Sequence, residues 1–314
     1  MTTPIDFLNI LVERMDAAGI RFAVTSGMAC VWYGLQQTTK DIDIVISADH
    51  LARLLDLLES QEREFPPWRV SYRTIFGAPL DPAYMRHGWT SHLSIHDRAD
   101  SPEQRLDVFC RPPRVDVVES DPVKKEFASR DTVARMKRTD RDRDWPIVDG
   151  LGLQLRRRDP ERALLHIQDA VLLRETWTTA TSDARARAEA RRPLLGLIDL
   201  VRDDDSLDAW IRRERIVWET ANQERYGLYR TSWKDFHRRW RADDAFDWPT
   251  SDRCRTQHER LLEATSRFGL ARDPLGTAGR EAIYERATRR AAVRAGASPA
   301  EIARVAPPLR EVLP

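Results

Sequence analysis

Cysteine is scarce in this chain, lysine nearly as scarce, and a net charge is almost missing. The three cysteines, Cys30, Cys110 and Cys254, are odd in number and far apart, with no C-x-x-C or Cys/His spacing. That excludes a disulfide-stapled scaffold and a zinc cage, and it fits a reducing cytoplasm. Lys+Arg 51 against Asp+Glu 50 leaves +1, too balanced for a polybasic protein that coats nucleic acid indiscriminately. Long apolar runs are lacking as well. The longest uncharged stretch, Phe22 to Thr39, carries glycine, glutamine, serine and threonine throughout, so no membrane helix and no membrane partner are expected. The opening Met-Thr-Thr-Pro-Ile-Asp lacks the basic segment and apolar core of a secretory leader, and a cytoplasmic location is the expectation.

What is present is ample material for a core. The chain has 314 residues, 41% of them hydrophobic, with Trp 10 and Phe 9, enough for two domains of ordinary size. Acidic residues are in slight excess over residues 1–150 and basic ones, nearly all arginine, over the rest. Arginine forks grip phosphate well, so the excess hints at an anionic partner.

The periodicity changes along the chain. Thr3-Pro4-Ile5-Asp6 reads as a helix start followed by an apolar stripe to Gly19. Arg21 to Thr25 reads as a strand, Met28 to Tyr33 as a small helix, Ile42 to Ile46 as a second strand, and Ser47 as the cap of a third helix. After a Pro66-Pro67 break, strands are expected near Trp68 to Thr74, Trp89 to Ile95 and Arg105 to Cys110, with helical patterning from Ser129. From Asp159 onward only long amphipathic stretches recur: 160–177, 184–201, 207–240, 253–268 and 277–294. The expected boundary is the glycine- and charge-rich run Gly150 to Asp159, giving a mixed α/β domain over 1–150 and an all-α domain over 151–314.

The chemically informative segment runs from Phe22 to Ile46. On a strand, Asp41 and Asp43 project from one face while Ile42 and Ile44 enter the core on the other. Two such carboxylates repel unless a cation bridges them, and hard divalent ions of the magnesium type suit that task. Upstream, Ser26-Gly27 falls at a strand-to-helix turn, where backbone amides and a hydroxyl can hold phosphate. Asp107 stands alone in the apolar alternating run Arg105-Leu-Asp-Val-Phe109 and supplies a third carboxylate. Three acids can hold two metals about 3.5–4 Å apart across a phosphoryl transfer.

These residues together resemble the DNA polymerase β-like nucleotidyltransferases. The superfamily's signature is a Gly-Gly or Gly-Ser pair, a spacer of about a dozen residues, Asp-x-Asp/Glu between apolar residues, and a later acid on a neighbouring strand. Ser26-Gly27, Asp41-Ile-Asp43 and Asp107 match in order and spacing, with Ser26 in place of the usual first glycine. Ala29, Tyr33-Gly34 and Thr39-Lys-Asp41 look like the minimal, toxin-type members found in abortive-infection and toxin–antitoxin systems. Met136 to Pro146 is similar to their lysine followed by Arg-x-x-Asp, which on a helix would set Lys137, Arg141 and Asp144 on one face. The likeness covers about residues 20–150. It implies a nucleotidyltransferase fold with a mixed sheet, two magnesium ions (or manganese) on Asp41, Asp43 and Asp107, and a nucleoside triphosphate on Ser26, Gly27, Lys137 and Arg141, with Asp144 and Thr39 in support. It implies transfer of a nucleoside monophosphate to an acceptor hydroxyl: an RNA or transfer-RNA end, a protein or an antibiotic. The alternative is an inactive fold that binds a toxin or antitoxin partner.

Other features carry blander readings. Arg253-x4-His258 and Arg230-x6-His237 fit a ribonuclease-like spacing, but so arginine-rich a chain produces such pairs by chance. Trp177, Trp210, Trp218, Trp233, Trp240 and Trp248 read as helix-packing anchors, and His87, His92 and His96 as surface residues.

Overall fold

A computed structural model of the chain describes residues 3–64, 68–96, 103–250 and 252–314. The Pro66-Pro67 break lies outside them. In chain order the elements are α1 (Pro4–Ala17), β1 (Phe22–Thr25), α2 (Ser26–Trp32), β2 (Asp41–Ile46), α3 (Leu51–Glu64), β3 (Arg69–Tyr72), α4 (Pro82–Met85), β4 (Thr90–His96) and β5 (Gln104–Phe109). They are followed by α5 (Arg130–Met136), α6 (Trp145–Leu155), α7 (Pro160–His166), α8 (Ala170–Thr179), α9 (Ser182–Glu189), α10 (Asp204–Arg241), α11 (Cys254–Arg267), α12 (Pro274–Ala278), α13 (Arg280–Ala295), α14 (Pro299–Val305) and α15 (Leu309–Val312). No helix among the described residues is long and apolar enough to cross a membrane.

The expected mixed α/β class holds. Thr3 caps α1 through a reciprocal bond with Asp6, and Pro4 occupies the first turn, as the sequence indicates. Five strands form one mixed sheet in the order β1-β2-β5-β4-β3, with β2 and β5 parallel and every other pair antiparallel. Ile42, Ile44, Leu106, Val108, Leu93, Ile95 and Val70 are all buried, as strict period-two alternation requires, whereas their neighbours Asp41, Asp43, Arg105 and Asp107 stay partly open.

The chain divides into two compact units, and the division does not follow the expected boundary. The first unit comprises residues 1–112, 120–128 and 228–277; the second comprises 113–119, 129–227 and 278–314. Residues 228–277 join the first unit because α11 covers the exposed edge of the sheet. Gln257 accepts a hydrogen bond from the Tyr72 backbone at 3.0 Å and donates to the Val70 carbonyl at 2.9 Å, standing in for a missing strand. Glu62 accepts from the backbones of Val70 and Cys254, both at 2.8 Å, and Tyr72 meets His258 at 2.8 Å. Of the Arg253/His258 pair, His258 is buried in this packing while Arg253 is exposed. Trp240, Phe246, Trp248 and Phe268 cluster beside it. At the opposite edge, Val24 exchanges backbone bonds with Glu126 and Ala128.

The second unit is helical, and two expectations need correction there. Gly150 and Gly152 do not mark a linker but lie inside α6. A Cβ on Gly152 would stand 2.9 Å from the Ile167 amide and 3.0 Å from His166 Cβ, so glycine is what lets the neighbouring segment approach. The stretches 160–177 and 184–201 are each broken in two: α7 stops at His166 before Asp169 caps α8, and α9 gives way near Pro193 to a short 3-10 turn. Leu164, Leu165, Leu173, Trp177, Leu194, Leu207 and Val305 form this unit's core.

A buried ionic network threads that core. His166 Nε2 donates to Asp131 Oδ1 at 2.8 Å while His166 Nδ1 accepts from Arg138 at 2.9 Å, the pattern of a neutral imidazole. Burial, and then the Arg138 guanidinium, push His166 down to about 4 against the pull of Asp131; burial takes His258 of the first unit to about 4 as well.

Two predictions follow from the packing. Gly152→Val should cost about 2 kcal/mol in urea unfolding, since the displaced atoms are backbone. For the two histidines, the folded pKa lies below the unfolded value of about 6.5, so their contribution is complete above pH 6.5 and is lost as pH falls towards about 4. Urea midpoints should decline over that window, and the decline should be shallower in the His166→Gln, His258→Gln double variant.

Candidate functional site

The register of the sheet assembles the site. Thr25 of β1 pairs with Asp43 of β2, Asp43 pairs with Asp107 of β5, and Asp107 pairs with His92 of β4, so one row of the sheet reads Thr25, Asp43, Asp107, His92. Asp41 and Arg105 form the adjoining pair on the same face. Neighbouring strands lie about 4.8 Å apart, which puts the Asp43 and Asp107 carboxylates side by side. Like charges so placed repel and call for a compensating cation.

Part of that compensation comes from the protein. His92 Nδ1 lies 2.7 Å from Asp107 Oδ1, and Arg73 is 3.7 Å from the same oxygen. Arg105 stands 3.6 Å from Asp41 and donates to Glu103 at 3.2 Å; the Glu103 bond raises the arginine's pKa first, with Asp41 adding to it. Asp41 Oδ1, the oxygen that Arg105 faces at 3.6 Å, is itself buried and accepts no hydrogen bond. Among the described residues no three of His, Cys, Asp and Glu gather closely enough to cage an ion unaided.

The strand-to-helix turn lies at the end of the same row. Ser26 follows Thr25 directly and has φ +52°, the left-handed region that glycine adopts freely and other residues avoid. A serine held there, where the resembling family has glycine, marks backbone strain beside the carboxylates. A Cβ on Gly27 would meet Thr39 Oγ1 at 2.5 Å, so the turn closes directly onto the loop before β2. Thr39 Oγ1 also bonds the Asp41 backbone, at 3.3 and 3.4 Å, and so steadies the first carboxylate from behind.

Lys137, Arg141 and Asp144 form a cluster of their own in the second unit. Asp144, 2% exposed, accepts from Arg141 at 2.8 Å, from the Thr139 hydroxyl at 2.5 Å, and lies 3.5 Å from Lys137 Nζ. The acid meets both cations, and the three residues do not share one helix: Lys137 caps the C-terminus of α5, and Asp144 ends a 3-10 turn before α6. Pro146, which favours a fresh helix start, makes the break. Arg114 braces the turn by donating to the Arg135 and Met136 carbonyls at 2.9 and 2.6 Å.

His92 is the residue that sequence reasoning missed. Read as a surface residue, its side chain is only 15% exposed and touches Asp107. The alternation of β4 does put His92 on the polar face opposite Leu93; which acid it would meet depends on strand order. Burial pushes the Cys110 and Cys254 thiols up to about 12, away from the thiolate form that attacks as a nucleophile.

Comparison with protein-family models and with curated proteins finds no match to the chain.

The strain at Ser26 is directly measurable. Ser26→Gly should raise unfolding stability by about 0.5–1 kcal/mol, as relief of left-handed strain outweighs added chain entropy, and Ser26→Val should lower it by at least about 1 kcal/mol. Chemical denaturation of the three proteins checks the order.

Proposed function

We propose that the protein is a divalent-metal-dependent nucleotidyltransferase of the DNA polymerase β-like fold, moving a nucleoside monophosphate from a nucleoside triphosphate to an acceptor hydroxyl. The observation that carries this reading is the in-register pair Asp43–Asp107 on parallel strands, with Asp41 beside it and the Ser26-Gly27 turn ending the same row. Three all-oxygen ligands suit magnesium or manganese, and Asp41 Oδ1, which accepts no hydrogen bond and has Arg105 no nearer than 3.6 Å, keeps a lone pair that such an ion can take. Magnesium commonly binds through one or two carboxylates with water and substrate phosphate completing its shell, so a full protein cage is not required.

Asp41, Asp43 and Asp107 would hold the metal, whose chemistry when bound is Lewis-acid polarisation of the α-phosphate and acidification of the acceptor hydroxyl. The remaining tasks fall to the protein. The Ser26-Gly27 turn receives the triphosphate through its amides and the serine hydroxyl. Asp107 takes the proton of the acceptor hydroxyl as its oxygen attacks the α-phosphorus, and the bond to pyrophosphate breaks. His92 and Arg73 fix the Asp107 carboxylate by holding Oδ1. The family resemblance assigns Lys137 and Arg141 to the triphosphate charge. RNA, including a transfer-RNA end, is the acceptor most in keeping with the arginine-rich second unit, within a toxin–antitoxin-like role.

Incubation with each α-labelled triphosphate and magnesium, in turn with cellular RNA, protein and aminoglycosides, should label one acceptor class. Asp43→Asn and Asp107→Asn should each lower the rate by at least about 100-fold, as losses of charge-stabilising groups do. Lys137→Ala should weaken triphosphate binding more than monophosphate binding. Neither labelling nor magnesium-dependent triphosphate binding with any acceptor would overturn the enzyme and favour a binding module.

A further inference from the structure

The second unit carries a basic cleft that shares no residue with the metal and triphosphate positions of the nucleotidyl-transfer reading. It lies between α10 and α13, has a volume of about 390 Å³, opens to solvent, and is lined by Thr220, Gln223, Arg289, Arg290, Val293 and Arg294. No carboxylate and no aromatic side chain is in that lining. Three acids serve four arginines: Glu219 accepts from Arg215 at 2.6 Å and Arg294 at 2.5 Å, Asp142 also pairs with Arg215, and Glu224 pairs with Arg286 at 3.3 Å and with Arg290. Arg289 has no ion-pair or hydrogen-bond partner among the described residues. The positive charge is therefore in excess at the cleft, and Glu219, itself 2% exposed, holds the Arg294 head in place before any ligand arrives.

We propose that this cleft binds consecutive phosphate groups of a linear polyanion, by its chemistry a single-stranded nucleic-acid backbone or a free oligophosphate. Arginine forks match phosphate oxygens in bidentate fashion, which an ammonium does not do. Arg290 and Arg294, four residues apart on α13, are separated by about 6 Å of helix rise, a step comparable to that between neighbouring phosphates of a strand. The lack of an aromatic platform points to the backbone as the bound feature, since sequence-tolerant base binding uses stacking. Val293, 85% exposed beside Arg289, Arg290 and Arg294, is an uncharged position on the rim of the cleft.

The test is polarisation of a labelled oligouridylate by the full chain from about 50 to about 200 mM salt. Three arginine contacts predict a log–log salt slope near −2, and Arg289→Gln should make it shallower by about 0.7. Val293→Glu removes no cation yet adds a negative charge to the cleft; it should weaken binding about tenfold, while Val293→Gln and Leu200→Glu, the latter at a 69%-exposed position outside the lining, should not. Tripolyphosphate should compete, and polyglutamate of equal charge should not. Competition at stoichiometric tripolyphosphate identifies a free oligophosphate as the ligand, and competition only in large excess identifies the nucleic-acid strand. Undetectable binding at low salt, equal response of both Val293 variants, or equal competition by polyglutamate would overturn the proposal. Failure of nucleotidyl transfer would leave it standing, because none of these readouts involves Asp41, Asp43 or Asp107.

Discussion

The parallel pairing of β2 with β5 is the constraint on which the first unit depends. It sets Ile42 and Ile44 beside Leu106 and Val108 in the core, and by the same register sets Asp43 beside Asp107 on the open face. A slip of one residue would bury the acids and expose the isoleucines, so the burial that stabilises the sheet also enforces an unfavourable carboxylate contact. Arg73, His92 and Arg105 relieve that contact in part. The resulting open face carries its three carboxylates with two arginines and a histidine drawn in beside them.

Parallel neighbours cannot be joined by a tight hairpin, and the chain pays for their adjacency with a long excursion through α3, β3, α4 and β4. That excursion leaves β3 at an edge with unpaired backbone groups. Gln257 and Glu62 satisfy them, and the aromatic cluster around Trp240 and Trp248 fills the space alongside. Residues 228–277 thus serve as a late-arriving wall of the sheet, which explains why a helical, arginine-rich stretch belongs with the strands. At the other edge, the bonds from Val24 to residues 126 and 128 close β1.

The two units handle buried charge differently. In the first, ionisable groups gather on one open sheet face around the three aspartates, and buried Glu62 and His258 serve the β3 edge. In the second, Asp131, Arg138 and His166 lie inside the helical core, where each hydrogen-bonding position of the imidazole has a partner and the ring is held neutral. Breaking such a buried network by removing one member leaves the others unpaired, so it acts as a specificity device for one helix arrangement.

Local patterns were readable in the sequence: the five strands within a residue or two of their observed ends, the cap at Thr3, the alternation that puts Asp41, Asp43 and Asp107 opposite apolar neighbours, and the turn at Ser26-Gly27. Each depends on residues close in the chain, where steric limits and side-chain periodicity act directly. The merging of Gly150 and Gly152 into α6, the breaks at Ile167 and Pro193, and the placing of Lys137 and Asp144 on separate elements were not readable, because periodicity does not say where a neighbouring segment needs close approach. Strand order, the meeting of His92 with Asp107, the left-handed strain at Ser26 and the return of α11 to β3 were decided only by the tertiary structure. All four rest on contacts between residues distant in sequence, whose free energy comes from burying non-local apolar surface and satisfying sheet edges, and no local pattern encodes which partner will supply them.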